Sequence, residues 1–125
     1  MRSALARPGW ILLLGAALHL PATWAGAVTP EENFKWYCVQ CHGPEGKGDG
    51  INSVDELPVG PMNLTNPEEM KKFSNDQIIQ TVTHGGPANT LDSLMPPWGN
   101  RLTADEIRDL MRYVRSLCRG DDCPK

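Results

Sequence analysis

The chain has 125 residues, 12 basic and 15 acidic side chains and four cysteines. That length allows one small domain after any leader, with a core too modest to be very stable without help. The acidic balance argues against nucleic acid as a partner.

Residues 1–27 read as an address. Arg2 and Arg7 form a positive n-region with no acidic residue, and the apolar run from Trp10 to Leu20 has signal-peptide length. It is too short to span a bilayer comfortably. Ala25-Gly26-Ala27 offers small residues for cleavage after Ala27, so 28–125 is the expected mature domain, in the periplasm and with no stable membrane insertion. An uncleaved anchor is the alternative. Removing Arg2 and Arg7 leaves 10 basic against 15 acidic residues, about −5.

Thr29-Pro30-Glu31-Glu32 is a capping box with proline at the first helical position. It predicts a helix of about ten residues that runs into Cys38-Val39-Gln40-Cys41-His42. C-x-x-C-H is the covalent attachment pattern of a c-type haem. Two thiols at this spacing can add to the vinyl groups along one haem edge, and the adjacent histidine then supplies an imidazole to the iron. A thioredoxin-like pair would follow a strand, and none is legible. A zinc site would need further Cys or His at finger-like spacing, and the other cysteines lie far away at Cys118 and Cys123.

Gly43 to Gly50 is glycine-rich and reads as a flexible loop leaving the motif, without the Gly-Lys-Ser/Thr ending of a phosphate loop. Residues 51–65, with Pro58 and Pro61, read as irregular chain wrapping something. Asn66-Pro67 caps a short turn, and Ser74 with Gln77 starts a helix that ends at His84-Gly85. Thr103-Ala-Asp-Glu106 caps the last helix, which puts Ile107, Leu110, Met111, Val114 and Leu117 on one face. No strand pattern and no repeat is present.

Four methionines compete for the sixth iron site: Met62, Met70, Met95 and Met111. Met70 and Met111 fall in helical patterns, where methionine usually fills core. Met62 follows the motif closely, on chain needed for the first haem face. Met95 lies in a loop stiffened by Pro96-Pro97 and is assigned as the ligand. His84 is the rival, with a plain reading as a residue interacting with the carbonyls at a helix C-terminus. Cys118 and Cys123 are expected to form a disulfide in an oxidising compartment, closed by a turn at Gly120. Asp121 and Asp122 read as a solvated turn. Trp98 is expected to pack near the haem or simply within its loop.

With these residues in hand, the chain resembles a small class I cytochrome c over its whole mature length. The resemblance rests on Cys38-x-x-Cys41-His42 near the mature N-terminus, the glycine-rich 43–50, Met95-Pro-Pro-Trp98 and the helix from Thr103. It implies an all-α fold of three to four helices with long loops around one covalent haem, the first and last helices crossing near one haem edge, where Phe34 and Tyr113 are expected to meet. It also implies thioethers at Cys38 and Cys41, axial ligands His42 and Met95, and single-electron transfer between redox-partner proteins without enzymatic chemistry. Members often hold the ligand imidazole by a proline carbonyl, for which Pro44, Pro58 and Pro61 are the candidates. The Cys118/Cys123 pair departs from the common pattern. Alternatives are a haem subunit of a larger periplasmic oxidoreductase, or a gas sensor in which Met95 dissociates. Monomer and complex subunit are both open.

Overall fold

The computed structural model describes residues 28–54, 59–91 and 93–124. The expected signal segment and Pro58 lie outside them. The all-α class is as expected: α1 (Pro30–Tyr37), α2 (Val39–His42), α3 (Pro67–Met70), α4 (Asn75–His84) and α5 (Ala104–Leu117), with a 3-10 turn at Gly86–Asn89. Two of these, α2 and α3, are single turns, so three longer helices carry the architecture. Among the described residues no helix is long and apolar enough to cross a membrane.

The three capping boxes explain where the long helices begin. Thr29, Ser74 and Thr103 each accept from the backbone of Glu32, Gln77 and Glu106, whose side chains reach back to the cap. Each box satisfies two helix-end donors that would otherwise lack partners. The cap hydrogen bonds of Thr103 hold the Glu106 carboxyl below its usual range, and Thr29 does the same to Glu32.

The first helix is shorter than its pattern suggested. It breaks at Cys38, where the backbone opens to φ −115° and ψ −33°. The Cys38 carbonyl then accepts from both Cys41 and His42, which starts the separate turn α2. The break divides two tasks: α1 packs on α5, while α2 carries the attachment motif.

Helix α5 is the spine. Ile107, Leu110, Met111 and Val114 are buried along one face, and Leu117 is half-buried against the core. Phe34 on α1 meets Tyr113 with ring centroids 5.4 Å apart and planes tilted by 55°, a favourable aromatic geometry. Leu64, Met70, Val82 and Leu102 complete the core from the loops and from α3 and α4.

One buried charge was not legible in the pattern. Arg115, on the same face of α5, donates Nε to Asn75 Oδ1 at 2.8 Å and a guanidinium nitrogen to the Met70 carbonyl at 2.7 Å. Its other nitrogen donates to the Phe73 carbonyl. Burial pulls its pKa down, and these acceptors compensate the desolvation while tying α3 and the start of α4 to α5.

The glycine-rich segment is not the flexible loop expected from its composition. Gly48 N donates to the His42 carbonyl at 2.8 Å, Gly50 N to the Cys41 carbonyl at 3.0 Å, and Leu64 N to the Gly46 carbonyl at 2.7 Å. Gly50 shows why glycine is required. A Cβ there would lie 2.4 Å from the Gln40 carbonyl oxygen and 2.5 Å from that of Val39. Composition reported the absence of regular structure, and the close approach of the loop to α2 supplies the order.

Candidate functional site

A cavity of about 500 Å³ opens inside the helices. Cys38, Cys41 and His42 line it together with Met95, and its walls include Phe34, Val82, Leu110 and Val114. Met62 and Met70 also reach it, whereas His84 and Met111 are not among the lining residues. His84 is exposed at the last turn of α4.

The sulfurs of Cys38 and Cys41 are free. Burial, reinforced by the neighbouring Cys41, pushes the Cys38 thiol up to about 12, so before any covalent attachment this side chain has little thiolate character. Among the described residues no group of three or more His, Cys, Asp or Glu side chains converges as a metal site.

His42 is held by one directed bond. Its Nδ1 lies 3.0 Å from the carbonyl oxygen of Met62. A carbonyl can only accept, so Nδ1 carries the proton and Nε2 keeps its lone pair free for a metal. Burial lowers the imidazole pKa, and the Met62 hydrogen bond opposes this only in part. The neutral, ligand-competent ring is therefore the favoured form. The expectation of a proline carbonyl at this position is corrected: among the described residues the acceptor is Met62, the residue after Pro61. Proline has no N–H, but its carbonyl is no better an acceptor than its neighbour's, and the path of the chain brings the Met62 oxygen to the ring.

The loop of Met95 is fastened to the end of α4. Gly86 N donates to the Met95 carbonyl at 3.0 Å, Trp98 N to Val82 at 2.9 Å, and Gly99 N to Thr83 at 3.0 Å. Gly85 ends α4 at φ +88° and ψ 173°, a region that only glycine occupies readily. A Cβ there would lie 2.9 Å from the Met95 carbonyl oxygen. The Pro96-Pro97 stiffness anticipated from sequence is thus joined by these long-range bonds. Trp98 packs on Tyr37 with ring centroids 4.9 Å apart and also lines the cavity, so loop packing and proximity to the site coincide.

At the C-terminus Cys118 and Cys123 are joined, with Cα atoms 5.8 Å apart. Arg119 N donates to the Thr65 carbonyl at 3.1 Å, and its guanidinium lies 3.7 Å from Glu45. The tail is thereby set against the segment that follows Met62.

These residues fit a haem. The cavity is large and mostly apolar, with two thiols at vinyl-edge spacing and an imidazole whose free nitrogen is fixed by a hydrogen bond on the other. The comparisons agree. The family model described as Cytochrome C oxidase, cbb3-type, subunit III matches residues 25–114. The Cbb3-type cytochrome c oxidase subunit FixP of Azorhizobium caulinodans is 35% identical over 108 residues, 86% of this chain and 32% of that protein. The chain thus spans about a third of the length of this relative. Cytochrome c6 of Aphanizomenon flos-aquae is 33% identical over 90 residues, 72% of this chain and 88% of that one. The solved structure of KustC0563 c-type cytochrome superposes with a TM-score of 0.58 at 23% identity, over 74% of this chain and all of that chain; at that identity it speaks for the fold alone. With an all-α fold built round this cavity, the chain belongs to the c-type cytochrome family of the cbb3 oxidase subunit III model, whose cofactor is a covalently bound haem c.

Proposed function

We propose that this chain is an exported electron-transfer protein, with haem c on Cys38 and Cys41, His42 and Met95 as axial ligands, and no enzymatic chemistry of its own. The observation that carries this reading is the single cavity lined by all four side chains. When bound, haem c supplies a one-electron iron couple. Cys38, at the junction of α1 and α2, and Cys41 on α2 would hold it through thioethers. His42 presents the lone pair of Nε2, and the Met62 carbonyl keeps that ring from turning. A thioether on the other side favours ferrous iron and raises the potential relative to a second histidine.

Position supports Met95 over its rivals. The Met62 backbone is engaged at His42 Nδ1, the nitrogen that would point away from a metal held at Nε2, so Met62 belongs with the His42 side of the cavity. Met70 is buried in the core at 1% exposure. His84 is exposed and does not line the cavity.

The working compartment is the periplasm, reached by cleavage of residues 1–27, and the domain is 28–125. Partners are redox proteins. The similarity to cytochrome c6, matched over most of its length, favours a free carrier. The similarity to FixP favours a haem-bearing part of a larger oxidoreductase. Purification of the native protein under mild conditions separates these two, by whether it travels alone.

The ligand assignment is tested with Met95→Ala. Haem stays covalently attached, the ferric iron becomes high-spin or water-ligated, the red thioether-to-iron band disappears, and the potential falls. An unchanged low-spin ferric spectrum with that band intact transfers the role to Met62 or His84. For attachment, Cys38→Ser/Cys41→Ser abolishes haem staining on a denaturing gel, and a stained band overturns the thioether reading.

A further inference from the structure

The peptide group between Met62 and Asn63 is engaged at both ends. Its carbonyl oxygen accepts from His42 Nδ1 at 3.0 Å. Its N–H donates to Glu69 Oε2 at 3.1 Å. A single conjugated unit therefore connects the imidazole to a carboxylate.

This peptide has little freedom to turn. Asn63 Oδ1 accepts from Thr65 N at 3.0 Å and from Thr65 Oγ1 at 2.7 Å. The Asn63 carbonyl accepts from Asn66 N at 3.2 Å. Asn66 in turn caps α3, the turn that carries Glu69. The chain after Met62 is thus folded so that Glu69 returns to the residue it follows by only six positions.

A charged acceptor on a peptide N–H draws that proton and pushes electron density to the carbonyl oxygen. Hydrogen bonds in series strengthen one another by roughly 10–30% per bond, and a bond to an ionised group is about twice as strong as a neutral one. A stronger acceptor at Nδ1 makes the imidazole a better donor to iron, which favours the ferric state.

We propose that Glu69 is a positioning residue for the iron ligand: through the Met62–Asn63 peptide its carboxylate orients His42 and increases electron donation from the ring. This rests on His42 being the iron ligand. Glu69 also lines the cavity, so its charge acts on the site through space as well, and a test must separate the two routes.

Glu69→Gln keeps an oxygen to accept from Asn63, so the loop keeps its fold while the charge is lost. Its neighbour Glu68→Gln removes an exposed charge paired with Lys71 and serves as the control. Nitrogen-15-labelled holoprotein is prepared for both variants and the parent. The His42 Nδ1–H resonance is read in the ferrous state, together with the reduction potential.

In Glu69→Gln the Nδ1–H resonance moves upfield, as a weaker hydrogen bond requires. The potential rises, with a shift in the reduced-to-oxidised ratio of up to about tenfold, or ~59 mV for one electron. In Glu68→Gln the Nδ1–H resonance stays in place, and the potential rises by less. An unmoved Nδ1–H resonance in Glu69→Gln overturns the proposal whatever the potential does. So does an equal displacement of that resonance in both variants. Failure of the ligation reading looks different: the ferric parent would then show His42 ring protons without hyperfine shifts.

Discussion

The His42 wall of the cavity is a loop folded back on the attachment turn and bonded to it at several points, whereas the Met95 wall is a loop fastened to the end of one helix. On the first, Gly48 and Gly50 bond back to His42 and Cys41, Leu64 bonds to Gly46, and Met62 holds the imidazole. The contact from Met62 to His42 spans 20 residues, so this wall closes over the attachment turn from the far side of its own loop. On the second, Leu94, Pro96 and Pro97 are exposed, and the loop is fastened chiefly through Gly86, Val82 and Thr83 at the end of α4. The contrast teaches where this fold is dense and where it yields. A loop and a turn that hold each other at several points open only as a unit, whereas a loop fastened at one end of a helix can leave locally while the rest stays folded.

The sharpest way to break the comparison is at Gly50. In Gly50→Ala the new methyl meets the Gln40 and Val39 carbonyl oxygens and the Cys41 carbonyl carbon, all at 2.6 Å or less. No side chain can move aside, so α2 or the loop must shift. We expect a loss of about 3 kcal/mol, read as a lower midpoint in guanidinium and a lower yield of covalent holoprotein. A wild-type midpoint would show that the loop is as loose as its composition suggests.

Gly85→Ala probes the other wall. The backbone conformation and the approach to the Met95 carbonyl together cost about 2 kcal/mol. That cost falls on the loop. The thioether-to-iron band should be lost at a lower temperature or denaturant concentration than helix content, with the two transitions separated further than in the parent. Coincident transitions would mean that the Met95 loop is as tightly coupled as the His42 wall.

The smallest effect is expected from the C-terminal strap. Opening the Cys118–Cys123 loop releases about 2 kcal/mol of chain-entropy stabilisation at most, and part of the tail remains fastened by Arg119. Because that tail sits on Thr65, beyond Met62, the Cys118→Ser/Cys123→Ser variant should loosen the His42 wall while leaving the Met95 band unchanged. Faster amide exchange at Leu64 and Arg119 checks this, and faster exchange confined to Trp98 and Gly99 would reverse the assignment.

The legible parts of the fold were those written locally. The capping residues Thr29, Ser74 and Thr103 announced helix starts because cap and partner stand three residues apart. The five-residue motif announced its chemistry for the same reason. The face of α5 followed from helical periodicity, and the Phe34–Tyr113 contact from the helix crossing that the cytochrome c resemblance implied. The proline expectation for His42 failed because it asked which residue type tends to sit there, and a backbone oxygen has no residue type. Arg115 went unread for a related cause: its acceptors are mainly carbonyls from α3 and the chain after it, and such acceptors leave no mark in a pattern of side chains.

Sequence alone thus determined the helical class, the starts of the longer helices, and the pair of thiols and the histidine that line the cavity together. It also singled out Met95, by contrast with the other methionines and by the Pro96-Pro97 that follows it. Tertiary structure decided what each of these groups faces. It turned a glycine-rich loop into a folded wall, chose Met62 as the acceptor for the ligand imidazole, brought Glu69 back onto the same peptide, and tied the Met95 loop to α4. The reason is physical. Caps and covalent spacing are satisfied within one or two turns of chain, whereas backbone hydrogen bonds between distant segments depend on how the helices pack around the cavity.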